Sequence, residues 1–84
     1  MTTATLSALI NKTPGVCGGR ACIRSTRITV WGLEELRRLG FSEQRILNDY
    51  PDVLTADDLR AAWKYVAEHR AEIDKDIRQN TEEA

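Results

Sequence analysis

The sequence predicts a mostly helical fold, with short N-terminal strands followed by three helices, the last of them long. Three observations carry this reading. Turn-forming and alternating residues fill the first third, apolar residues recur at helical spacing from Val30 onward, and Gly40, Ser42, Pro51 and Thr55 stand where helices stop and start. A chain of 84 residues fits one domain, expected over residues 1–78, with a polar, acidic and mobile tail over 79–84. Its core is thin, since a domain this short buries only about 60% of the surface its unfolded chain exposes.

The elements follow in chain order. Leu9, Ile10 and Asn11 suit a short strand, Thr13-Pro14-Gly15 is turn chemistry, and Ile23 to Val30 alternates imperfectly but leans to strand. Between these runs, Gly18-Gly19 leaves the backbone free to take positive φ. The pair is no nucleotide loop, because neither a following helix nor a Lys-Ser/Thr accompanies it. Val30, Leu33, Leu36 and Leu39 mark one face of the first helix; Arg37 and Arg38 suit the negative end of its dipole, and Gly40 ends it. The second helix opens at Ser42, turns Ile46 and Leu47 inward, and cannot pass Pro51.

Thr55 caps the third helix, with Asp58 in the capping-box position. Its stripe runs Leu59, Trp63, Val66, Ile73 and Ile77, interrupted only by Arg70. Read as one straight helix at 1.5 Å per residue, it carries Ile73 and Ile77 roughly 10 to 16 Å beyond Val66. There either a second chain or the N-terminal strand of the same chain has to cover them.

Composition narrows the function. Hydrophobic residues at 42% and charged residues at 30% exclude a disordered chain. No run approaches the roughly 18 apolar residues of a membrane span, and the short cluster Leu6, Leu9, Ile10 lacks a basic flank, so a cytoplasmic protein without membrane contact is expected. The net charge of −1 hides a division, +4 up to Arg45 and −5 from Ile46 onward. Such a split either marks an anion-facing front and a solvated or protein-facing back, or is an accident of a small domain.

Catalysis requires a base or nucleophile beside an orienting partner, and the chain lacks one. His69 stands among Glu68, Arg70 and Glu72 as a solvated side chain, and the carboxylate pairs Asp57-Asp58 and Asp74/Asp76 read as cap and surface. Cys17, Cys22 and the distant His69 offer at most three of the four ligands of a structural zinc site. A Cys17–Cys22 disulfide would be reduced in the cytosol, so both thiols read as small apolar loop residues. Neither enzymatic activity, metal nor cofactor is expected; the chain works by binding.

The run Pro14-Gly15-Val16-Cys17-Gly18-Gly19-Arg20-Ala21-Cys22-Ile23-Arg24-Ser25-Thr26-Arg27-Ile28-Thr29-Val30 then reaches a known pattern. Together with Gly40-Phe41-Ser42, Ile46, Asp49-Tyr50-Pro51 and Leu54-Thr55, it closely resembles the domain of unknown function 433 family, over about Ile10 to Ile73. The resemblance implies a helix-turn-helix-like, homeodomain-like unit. It also implies the antitoxin half of a bacterial toxin–antitoxin pair, beside a PIN-like ribonuclease toxin. Ser25 stands where that family often has glycine, so a positive φ there would be strained.

Two surfaces follow as expectations. The leading end of the third helix presents Asp57, Asp58, Arg60, Ala61 and Lys64, too acidic to face phosphates, so operator DNA is assigned to Arg20, Arg24 and Arg27. Arg27 has a structural alternative, bonding helix-terminal carbonyls or Glu34 and Glu35. The toxin is assigned to Arg70, Ile73, Lys75, Ile77 and Arg78, with an arginine inserted among the metal-binding carboxylates of the nuclease. A homodimer paired through the edge of the first strand is the expected assembly. A stand-alone DNA-binding regulator is the alternative reading.

Overall fold

A computed structural model of the chain describes Leu6 and residues 8–82, with side chains through Asn80. Strand β1 (Ile10–Asn11) pairs antiparallel with β2 (Cys22–Ile23), Ile10 opposite Ile23 and Asn11 opposite Cys22. Four helices follow: α1 (Val30–Arg38), α2 (Glu43–Asp49), α3 (Ala56–Glu68) and α4 (Arg70–Glu82). The fold is mostly helical with a two-stranded N-terminal sheet, as the sequence predicts.

Local chemistry explains the connections. Val16 N–H donates to the Thr13 carbonyl at 3.0 Å with Pro14 and Gly15 (φ 82°) between them, the signature of a type II turn. The run from Ile23 to Val30 is not one strand but folds back on itself. Thr26 bonds the Ile23 carbonyl through both its N–H (2.9 Å) and its hydroxyl (2.6 Å), and Ile23 N–H reaches the Ile28 carbonyl at 2.9 Å. Arg24, not Ser25, takes the positive φ of this turn, at 47°. The substitution of serine for glycine at position 25 therefore brings no left-handed strain.

Helix α1 is capped by the Thr29 hydroxyl, which accepts from Gly32 N–H at 3.1 Å. It ends in a Schellman motif: Phe41 N–H bonds the Leu36 carbonyl, Gly40 N–H bonds the Arg37 carbonyl, and Gly40 supplies the positive φ of 98°. Leu39 is thereby turned out to solvent at 69% exposure instead of facing inward. Ser42 caps α2, and Thr55 with Asp58 completes both halves of the expected capping box on α3.

The long third helix is two helices. It breaks at His69 (φ −133°, ψ 44°), and α4 turns to pack against α1. Ile73 is wholly buried in the core with Ile23, Val30, Leu33, Ile46, Leu59 and Val66, and Ile77 packs half-buried on the same cluster. Burying one isoleucine contributes about 2 kcal/mol, whereas a net backbone hydrogen bond is worth about 1 kcal/mol, so breaking the helix is favoured over leaving two isoleucines in water. Helix α4 continues through Glu82, and Gln79 accepts a bond from Arg20. Of the mobile tail expected over 79–84, only Glu83 and Ala84 lie outside the described residues.

Candidate functional site

The N-terminal arginines serve the fold before any ligand. Arg24 donates Nε to Asp58 Oδ1 at 3.2 Å and Nη2 to Oδ2 at 3.0 Å, and also bonds the Val53 carbonyl. Asp58 is 1% exposed, so neither it nor Ala61 (2%) lies on the exposed front expected for α3. Burial alone would raise the Asp58 carboxyl, but the hydrogen bonds from Arg24 and Thr55 outweigh it and hold the group below its ordinary range. Arg20 spans from the loop to α4. Its Nη1 points to the Cys17 carbonyl (3.5 Å), its Nη2 to Gln79 Oε1 (3.4 Å), and its buried Nε faces Asp76 at 3.5 Å without a hydrogen bond. Arg27 is exposed, and Glu34, one of its expected partners, is held by Arg37 and Arg38 instead. Arg20 and Arg24 thus make structural contacts while remaining partly exposed, and Arg27 is the most exposed of the three.

The acid response follows from these pairs. Asp58 titrates lower in the folded chain than in the unfolded one, so its contribution is present above the unfolded value and lost as pH falls through the folded one. Asp76, raised chiefly by burial, acts in the opposite sense: its contribution is present at low pH and is lost as pH rises through the folded value. The denaturation midpoint is expected to fall between about pH 5 and pH 3. Asp58→Asn should flatten that fall; an unchanged slope would show that other carboxylates carry it.

On the C-terminal side Arg70, Lys75 and Arg78 are exposed, while Ile73 is withdrawn into the core. Ile73 is therefore corrected from a partner contact to a core residue, because the break at His69 folds α4 back instead of extending it. Asp74 lies between Arg70 and Arg78 on α4 and accepts from Arg38 Nη2 at 2.6 Å. Glu34, 3% exposed, accepts from Arg37 Nε and Arg38 Nε, both at 2.8 Å, and the Arg37 guanidinium lies 4.2 Å over the Trp63 ring. Trp63 Nε1–H in turn donates to Glu43 at 2.9 Å. Sequence reasoning took Arg37 and Arg38 for dipole partners alone. The Glu34 spacings of three and four were a legible signal, whereas the reach to Asp74 across 36 residues was not.

The remaining chemistry-bearing groups are internally satisfied. Lys12 Nζ and the Tyr65 hydroxyl both bond Glu72, each at 2.8 Å, and His69 stacks on Tyr65 with ring centroids 4.1 Å apart. Cys17 and Cys22 are free thiols. Burial and contact with Cys17 push Cys22 up to about 11, far from a reactive thiolate. Among the described residues no group of three or more His, Cys, Asp or Glu is arranged to hold a metal ion, and no helix is long and apolar enough to cross a membrane.

Comparison with known proteins agrees with this architecture. No curated protein matches the chain. A crystal structure of a DUF433 member protein from Anabaena variabilis is similar, with a TM-score of 0.82 and 47% sequence identity, covering 89% of this chain and 73% of that one. The sequence pattern of the family described as a protein of unknown function (DUF433) matches residues 10–66, from β1 to the last turn of α3. The chain belongs to the DUF433 family.

Proposed function

We propose that the chain is the antitoxin of a bacterial type II toxin–antitoxin pair, binding and neutralising a PIN-like ribonuclease toxin through the outer face of α4. One observation carries the reading most. Arg70, Lys75 and Arg78 are all exposed on α4, the helix that closes the core through Ile73 and leaves these three cations on its outer side. A PIN-type active site gathers carboxylates around a metal ion, and a guanidinium inserted there pairs with two oxygens at once and displaces the metal. Ile77, half-buried beside these cations, supports the contact; Ile73 takes no part.

The test is co-expression with a growth-arresting PIN-like ribonuclease. Growth should be restored and the two chains should co-purify, and Arg70→Glu with Arg78→Glu should abolish both while leaving the circular dichroism unchanged. Failure of the unaltered chain to restore growth or to co-purify would sink the proposal.

A stand-alone DNA-binding regulator is the second reading, supported by the exposed Arg27. A mobility shift on the chain's own upstream DNA should then weaken steeply with salt and disappear in Arg27→Glu. Arg24 is unsuited to such a test, because its removal leaves Asp58 buried and unpaired.

A further inference from the structure

One face of the domain gathers arginines from two helices around the half-exposed carboxylate of Asp74. Arg70 and Arg78 stand four residues either side of Asp74, the spacing that places side chains on one helical stripe, and Arg38 reaches across from the end of α1 to bond it. The hydrogen bond from Arg38 and the nearby charges of Arg38, Arg70 and Arg78 hold the Asp74 carboxyl below its ordinary range. Arg38 is held in place by the buried Glu34, so its guanidinium is aimed before any partner arrives. The Asp74 side chain is 43% exposed, which leaves its place open to another anion. Leu39, 69% exposed, follows Arg38 directly.

We propose that this composite face of α1 and α4 docks a cluster of carboxylates on a protein partner, and that Asp74 occupies in the free chain the place a partner carboxylate takes in the complex. The inference rests on the reading of the chain as a protein-binding antitoxin and names the chemistry of its contact. A carboxylate is favoured over a phosphate backbone for three reasons. The site already holds a carboxylate, Asp74, at 2.6 Å from Arg38 Nη2, a charge-assisted bond of the kind a partner carboxylate would make. The chain carries a net charge of −1 and exposes Asp57 and Glu68 on α3, unlike the extended positive field that duplex DNA requires. An exposed leucine beside arginine also suits a protein surface, where apolar and guanidinium contacts combine.

The experiment follows the arginine Nε–H and Trp63 indole signals of the isotope-labelled full chain by nuclear magnetic resonance during titration with a short polyaspartate peptide, and separately with a DNA duplex. The peptide should shift the signals of Arg38, Arg70 and Arg78. Asp74→Asn, which removes the internal competitor at an exposed position, should tighten peptide binding several-fold, and Arg70→Gln with Arg78→Gln should weaken it about tenfold. Peptide binding that is unchanged or weaker in Asp74→Asn overturns the proposal, as do shifts confined to other residues. DNA that moves these signals at lower concentration than the peptide identifies a nucleic-acid face and overturns it too. Growth restored against the nuclease and unaffected by Asp74→Asn and Arg38→Gln would remove this face and leave the antitoxin reading standing. Peptide docking as described, without restored growth, would remove the antitoxin reading and leave the face.

Discussion

Replacing Arg24 by alanine is expected to destabilise the domain by about 3 kcal/mol, the lower end of the cost of leaving a buried carboxylate without its partner. The lower end applies because the Arg24 side chain is 38% exposed, so water can reach part of the vacated position, and because Asp58 keeps the Thr55 N–H. For a domain of this size that corresponds to a fall in Tm of roughly 12 to 24 °C. Arg24→Lys should lie between, since an ammonium keeps the charge but loses the two-pronged contact and the bond to the Val53 carbonyl. Arg24→Ala combined with Asp58→Asn should recover part of the loss, because the orphaned charge is gone. Denaturant unfolding measures all three; a change in Arg24→Ala within about 0.5 kcal/mol would show that Asp58 does not depend on this pair.

Ile73→Ala is expected to cost about 3 kcal/mol, within the range found for emptying a fully buried isoleucine site. Its importance lies in the contrast with its neighbours. Arg70→Ala and Lys75→Ala, both at exposed positions of the same helix, should each stay within about 0.5 kcal/mol of the parent. This pattern separates a helix that closes the core from one that hangs off it. Equal, small effects at all three positions would mean that α4 does not pack as described. A variant truncated at residue 70 accordingly tests folding, not partner binding, since it removes Ile73 together with Asp76.

What the sequence made legible was local. Ser42, Thr55 with Asp58, and Gly40 act within four residues of themselves, so their roles as caps and stop could be read directly. The break at His69 carries neither proline nor glycine. Its one trace is the polar Arg70 in the slot between Val66 and Ile73, where a continuous buried stripe would have an apolar residue. The arginines were misjudged for a different reason: a charge is visible in sequence and its partner is not. Arg24 finds Asp58, Arg20 finds Asp76, Lys12 finds Glu72 and Arg38 finds Asp74, each across the chain. The basic first half and acidic second half are in large part each other's counter-ions. The charge division that suggested an anion-facing front is therefore spent mainly on joining the two halves of the fold.

The contact between Arg38 and Asp74 sets a threshold for whatever binds there. A carboxylate fixed on the adjoining helix acts as a tethered ligand, present at an effective concentration of about millimolar or more whatever the surroundings contain. An isolated acid group in solution at lower concentration cannot compete with it. A surface that offers several carboxylates in register can, because once one is engaged the next meets Arg70 or Arg78 as its own tethered encounter. Asp74 would in this way make the face respond to the density of negative charge and ignore single acids.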